Sequence, residues 1–322
     1  MMELVPRSVS AWCYAVLLAV LALAPFLFEW MEQPFYLDLL SRGLILAIAV
    51  ISLNLILGYG GMVSLGHAAY LGIGAYCVGI PAYYDLYNGW LHLALALGVS
   101  GLFALITGAV SLRTRGVYFI MITMAFSQMV YFIFLSLEEY GADDGLVIYA
   151  RSEFPAWMSM DGATSLYYWI FILMLLSLFL INRLVHARFG RVIVGSKFNE
   201  QRMQALGFDT YRYRLACYVI SAMLCSLAGM LLGNFAGFIS PDIISWARSG
   251  ELIFMVIIGG VATIFGPLIG TLAFVVLEEG LSAITVYWHL IFGVMLVALV
   301  LFGKGGIHGW LSLLDRKRAE HD

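Results

Sequence analysis

Ten apolar runs, most of them close to the length of a bilayer crossing, constrain this chain more than anything else in it. They fall at residues 11–28, 38–57, 62–83, 90–111, 116–137, 166–182, 214–236, 250–265, 267–284 and 287–303. About 20 apolar residues are needed to cross the hydrocarbon core as a helix, so the earlier runs suffice and those after residue 250 are shorter. The chain is 62% hydrophobic and 11% charged. A soluble protein of this length cannot hide that much apolar surface, whereas a multi-span membrane protein need not. The expectation is an all-α polytopic membrane protein forming a single transmembrane domain over 1–322, with membrane lipid as its surroundings. The formal net charge of −3 gives no reason to expect nucleic acid as a partner. The first run, with Arg7 ahead of it, could pass for a signal peptide, but it is long enough to span and Pro25 would follow the scissile bond. It is therefore read as a retained span.

Charge orients the spans. Residues 183–214 form a basic block inside an otherwise apolar sequence: Arg183, Arg188, Arg191, Lys197, Arg202, Arg212 and Arg214 against Glu200 and Asp209. By the positive-inside tendency this block is a cytoplasmic loop, as are Arg113 with Arg115 and the closing Arg316, Lys317 and Arg318. The segment NEQRMQALG within it reads as a short helix outside the membrane, something another protein can grip. The 138–165 loop carries six acidic residues against Arg151 alone. It is placed on the periplasmic side, with room near Pro155, Trp157 and Gly162 for a short interfacial helix. Both termini then lie in the cytoplasm, which demands an even number of crossings. Splitting residues 250–285 at Phe265-Gly266-Pro267 restores that parity. The result is about ten transmembrane helices, with eight plus a re-entrant pair as the alternative. No clear internal repeat is visible in the sequence.

Polar residues at membrane depth must find partners or water. Asn54, Ser64 and His67 sit around Gly58, Gly60 and Gly61, which read as a flexible turn. Thr123, Ser127 and Gln128 form a polar strip, the first two on one helical face. All six serve either as interhelical glue or as the lining of a translocation path. Glu278 and Glu279 are placed near the outer surface as solvated acids. The four cysteines, Cys13, Cys77, Cys217 and Cys225, lie in apolar runs without metal spacing and read as small hydrophobes. No phosphate loop of the G-x-x-x-x-G-K-[ST] type and no hydrolase or metallopeptidase motif occurs. No catalytic constellation is visible, so an enzyme is not expected, and any ATP hydrolysis must be done by another chain.

Four strings, taken together, resemble the permease subunits of branched-chain amino acid ABC importers, of the LIV-M type. They are LNLILGYGGMVSLGHAAYLGIGAY, RTRGVYFIMITMAFSQMV, GRVIVGSKFNEQRMQALGFDTYRYRLACYVISAMLCSLAGML and GELIFMVIIGGVATIFGPLIGTLAFVVLEEGL, in order over nearly the whole chain. The resemblance implies a bacterial inner-membrane importer with a second homologous permease subunit, two cytoplasmic ATPase subunits and a periplasmic substrate-binding protein. It also implies that the cytoplasmic loop docks on an ATPase, with Glu200, Ala205 and Gly207 marking the coupling helix and Gly190 and Arg191 at its start. Ser196-Lys197-Phe198-Asn199 departs from the family's more common R-x-N-E lead-in. Urea or short-amide permeases share these motifs. An ion-coupled secondary transporter, working alone through Glu278 and Glu279, is the competing class.

Overall fold

A computed structural model describes residues 9–30, 32–155, 160, 162–302 and 305–309. Every apolar run becomes a helix. The first six are α1 (Val9–Trp30), α2 (Pro34–Asn54), α3 (His67–Tyr83), α4 (Gly89–Ser111), α5 (Val117–Leu135) and α6 (Ala163–His186). The basic block adds α7 (Arg188–Phe198) and α8 (Glu200–Ala205), followed by α9 (Thr210–Ala236), α10 (Trp246–Gly259), α11 (Gly266–Ile284) and α12 (Trp288–Phe302). Among the described residues, seven helical segments are long and apolar enough to cross a membrane. The expectation of about ten crossings is thus met by length in seven, while α3, α10 and α12 have 17, 14 and 15 residues. At 1.5 Å per residue these three reach only about 20–25 Å of a core about 30 Å thick.

α2 is the central post. Its sequence is apolar all round from Gly43 onward, as a helix enclosed by others requires, and every residue from Gly43 through Asn54 is buried. A π-helical turn, Leu55–Tyr59, continues it. It packs against α9, α11, α6 and α10, while α9 packs against α3 and α4 on its other side. The α3–α9 seam is backbone on backbone. A Cβ at Gly229 would stand 1.9 Å from the Leu71 carbonyl oxygen, and one at Gly74 2.0 Å from that of Ser226. Small residues allow this approach where apolar burial cannot drive helices together.

Contacts sort the helix ends into two sets. At one end Tyr14 hydrogen-bonds His308, Tyr211 donates to the Ala109 carbonyl at 2.9 Å, and Arg115 pairs with Glu200 at 3.0 Å. At the other end Thr164 bonds Glu29, and Tyr84 bonds Tyr140 and Glu139. There the 138–165 loop is pinned down rather than loose. Leu146–Val147 (β1) pairs antiparallel with Phe238–Ile239 (β2), Gly89 N donates to Glu153 O at 2.8 Å, and Ser152 N donates to Asn234 Oδ1 at 2.7 Å. This ribbon of two two-residue strands is a local addition to a fold that is otherwise helical, as expected. The loop's helical element among the described residues is a 3₁₀ turn, Glu138–Tyr140; Trp157 and Asp161 lie outside the described residues.

Two stretches that are not α-helical sink into the bundle: irregular backbone at residues 60–66 ahead of α3, and residues 240–245, which hold a 3₁₀ turn at Pro241–Ile244, ahead of α10. Both meet α5 well inside it. Ser127, ten residues beyond Val117 and so about 15 Å along the axis, donates its hydroxyl to Ile244 O at 3.0 Å. A Cβ at Gly66 would lie 2.4 Å from Thr123 O. Backbone of this kind is tolerated at membrane depth where protein or a water-filled cavity surrounds it; Met62, Ser64, Gly66, Pro241 and Ile244 are buried, while Gly61, Val63 and Asp242 are exposed. The order long helix, sunken stretch, short helix and two further helices occurs twice, as α2–α5 and as α9–α12. The second set runs in the opposite direction between the two ends. The repeat is structural; the sequence does not display it.

Two charge pairs lie within the spans. Arg42 of α2 reaches Glu278 of α11 at 3.1 Å, and Arg248 pairs with Glu251 on α10. Glu278 is therefore a paired acid with a 17% exposed side chain, not the solvated group its position near a span end suggested. The sequence reading overlooked Arg42 as its partner.

Candidate functional site: a helical elbow under the sunken turn

The basic block folds as an elbow between α6 and α9. Its extramembrane part is narrower than 183–214, because Arg183 closes α6 and Arg214 lies within α9. Gly190 makes the bend: a Cβ there would sit 2.1 Å from Val185 O. α7 lays Val192, Ile193 and Ser196 against the bundle and leaves Arg191 exposed. Asn199 ends it and caps α8, its Oδ1 accepting from Arg202 N at 2.9 Å. Gly207, at φ +88°, then reverses the chain where an L side chain would be strained. Ala205, Leu206 and Gly207 face outward, as does Phe198, 81% exposed.

Glu200 faces the other way. Its carboxylate bonds Arg214 at 3.3 Å, Arg115 at 3.0 Å and the Thr210 hydroxyl at 3.1 Å, and its side chain is 15% exposed. It ties α8 to the start of α5 and to α9 rather than presenting itself to a partner. Lys197 also reaches inward. Its ammonium donates to Gly58 O at 2.7 Å, and its stem lies across Gly61. Between Gly60, Gly61, Arg115, Lys197, Glu200 and Arg214 lies a polar cavity of about 280 Å³.

The turn above is tightly held, not flexible. Every residue from Asn54 to Gly60 is buried. Asn54 uses both ends of its amide on the α10–α11 linker, donating to Thr263 O at 2.7 Å and accepting from Ala262 N at 3.0 Å. Gly58 is wedged beside it, where a Cβ would fall 2.2 Å from Asn54 Oδ1 and 2.6 Å from Ala262 N. Asn54 is thus a pin between two elements at the elbow end of the bundle, apart from the other polar candidates.

Those others gather around the two sunken stretches. His67 opens α3, fully buried, with Nε2 on Ser52 Oγ at 2.9 Å. Ser64 Oγ accepts from Gly66 N at 3.3 Å, and Thr123 Oγ1 donates to Ile120 O at 3.0 Å. Ala68 N donates to Ser249 Oγ at 3.0 Å, which joins the starts of the two short helices. Among the described residues, His67 Nδ1 and Gln128 Nε2 are buried polar atoms without a hydrogen-bond partner. Protein partners account for Ser64, Thr123 and Ser127; His67 and Gln128 keep spare donor or acceptor capacity. Sequence reading missed Lys197 as more than one basic residue among seven, and it missed Ser52 and Ser249 altogether. No local signal marks them, since their partners lie far away in the chain. Among the described residues no cluster of His, Cys, Asp or Glu could hold a metal ion.

A bundle of spanning helices with two sunken breaks and an extramembrane elbow tied to one of them defines a multi-pass membrane permease of broken-helix type. Residues 35–300 match the family described as the branched-chain amino acid transport system permease component, and the chain belongs to that family. It is 27% identical over 293 residues to the high-affinity branched-chain amino acid transport system permease protein LivM of Salmonella typhimurium, covering 84% of this chain and 69% of that protein. With LivM of Escherichia coli it shares 26% identity over 323 residues, covering 93% and 75%. LivH of Salmonella typhimurium, another permease protein of that system, is 30% identical over 126 residues, 38% of this chain and 41% of its own. No solved structure matches the chain.

Proposed function

We propose that this chain is a permease subunit of an ATP-driven importer for branched-chain or related amino acids. The observation that carries the reading is the family match across residues 35–300. Its transported molecule reaches it from a substrate-binding protein, and ATP is bound by two ATPase subunits that dock on α7 and α8. The partial likeness to LivH as well as LivM supports pairing with a second, homologous permease subunit. The elbow end is the cytoplasmic end of a bacterial inner-membrane protein, because the basic residues of α6–α9 and Arg113 and Arg115 collect there. Tyr14 and His308 meet at that same end, which supports cytoplasmic termini; Arg316, Lys317 and Arg318 lie outside the described residues.

The ATPase contact is the outward surface of Phe198, Ala205, Leu206 and Gly207, with Arg191 beside it. Glu200 holds that surface to the bundle. Closure of the ATPase pair on ATP pushes the elbow and shifts the bundle between inward- and outward-open arrangements. The shift equals the difference in ATP affinity for the two arrangements. Moving from 1:99 to 99:1 needs about 5.5 kcal/mol of such difference. His67 and Gln128, beside the sunken stretches, are the path residues this reading favours.

The test is purification from mild detergent with mass spectrometry of whatever accompanies the chain, then uptake in proteoliposomes. Recovery of a second permease and ATPases, with uptake that requires ATP, is the expected result. Transport by this chain alone without ATP would overturn it.

A further inference from the structure

Two polar side chains of the elbow reach into the bundle, and they end in different places. Glu200 ends on Arg115 and Arg214, at the near ends of α5 and α9. Lys197 ends on a main-chain carbonyl of the sunken turn, Gly58. We infer that Lys197 is the positioning residue through which displacement of the elbow reaches that turn, by way of its ammonium-to-carbonyl bond. The inference rests on the reading of the chain as an ATP-driven permease and adds to it the route of transmission.

The geometry suits a push-rod. The donor is charged and the bond is 2.7 Å long, in the range of charge-assisted hydrogen bonds. The Lys197 stem lies on Gly61, where a Cβ would be 2.8 Å from its Cγ, so the side chain touches the turn along its length as well as at its tip. Gly58 itself leans on Asn54 and Ala262. One contact therefore addresses both the α2–α3 turn and the α10–α11 linker. Close-packed interiors transmit strain rather than absorb it, and nothing between Leu55 and Gly60 is exposed. The turn continues through Val63 and Ser64 to His67, whose Nδ1 lacks a partner. Gly61 N and Met62 N bond back to Leu57 O and Ile56 O at 3.2 and 2.9 Å, so a push at Gly58 is carried by hydrogen-bonded backbone into the stretch that leads to His67.

The experiment uses the complete complex in liposomes, with Lys197→Met, which keeps an unbranched stem but removes the donor, and Lys197→Arg, which restores one. Uptake and ATP hydrolysis are measured together. Thiol labelling of Val63→Cys, 39% exposed in this structure, is followed with and without ATP and vanadate. The labelled chain has Cys13 and Cys77 replaced by Ser; the buried Cys217 and Cys225 stay. The expected result is that Lys197→Met retains its ATPases and its basal hydrolysis, loses uptake about tenfold or more, as loss of a charged hydrogen bond implies, and no longer changes Val63→Cys labelling on nucleotide trapping. Lys197→Arg recovers part of both. Uptake unchanged by Lys197→Met would overturn the inference, and so would disappearance of that variant or of its ATPases from the membrane, because Lys197 would then be holding the fold or the dock. Absence of ATP-dependent uptake from the unmodified complex would instead remove the functional reading on which the inference stands.

Discussion

Replacing Asn54 by Ala tests whether the α10–α11 linker is held by a side chain from α2. Asn54 is 1% exposed, and both ends of its amide are bonded to the linker backbone, at 2.7 Å and 3.0 Å. Truncation leaves Ala262 N and Thr263 O without those partners. In a soluble protein each stranded group would cost about 1–3 kcal/mol. In membranes the measured mean for an interhelical hydrogen bond is about 0.6 kcal/mol, because the unfolded state also finds partners. The two scales bracket the loss between about 1 and 6 kcal/mol. The lower half is the better expectation, since the linker lies at the end of the bundle, where water can replace the amide. The assay is reversible unfolding in mixed detergent micelles of rising SDS fraction, with Asn54→Asp as companion. The carboxylate keeps the acceptor for Ala262 N but faces Thr263 O without a proton to donate, so Asn54→Asp should be no more stable than Asn54→Ala. A change below about 0.5 kcal/mol for Asn54→Ala, within the scatter of surface substitutions, would refute the pin. If uptake then fell with stability unchanged, Asn54 would belong to the translocation path after all.

Glu200→Lys should abolish uptake while the chain still inserts, because it sets a third cation against Arg115 and Arg214; normal coupling of hydrolysis to transport in that variant would show that Glu200 does not hold α8. Gly229→Leu should prevent recovery of monodisperse protein in size-exclusion chromatography, since its Cβ alone would stand 1.9 Å from Leu71 O and overpacking a well-packed core costs about 1–3 kcal/mol even where only methylenes are added. A cysteine at Tyr149, 90% exposed, should react with a membrane-impermeant reagent in intact cells. One at Leu206, 65% exposed, should react only once the cells are opened, and the reverse pattern would invert the topology.

Much of the helix inventory was legible because hydropathy reports local composition, and all ten runs became helices. α8 was legible too: Asn199 is a good cap and Gly207 a good stop, both local signals. The breaks were legible only in part. Pro267 suggested a gap at 265–267, but proline is tolerated in a first helical turn; it opens α11, and the gap lies at 260–265. The run 62–83 looked like one span, yet α3 starts at His67, because an apolar residue such as Met62 is equally at home in buried irregular backbone. The fates of Asn54, Ser127, Glu200 and Lys197 depend on partners far along the chain, to which neither period nor composition refers. Gln128 and His67 remain the positions where the polar strip read from sequence keeps unmatched hydrogen-bonding capacity.

The opposed running directions of α2–α5 and α9–α12 bear on how the chain is made. A half with one set of breaks, emerging alone from the ribosome, has a counterpart of inverted topology that must enter the bilayer the other way up. Equal halves would give the insertion machinery no preference between the two placements. The stretch that joins them, α6 through the start of α9, carries seven of the chain's 17 lysines and arginines and is hard to translocate. Held back on the side of synthesis, it would fix the orientation of the half already made and of the half to come, so the segment proposed to receive force in the finished protein would also serve as its biosynthetic compass.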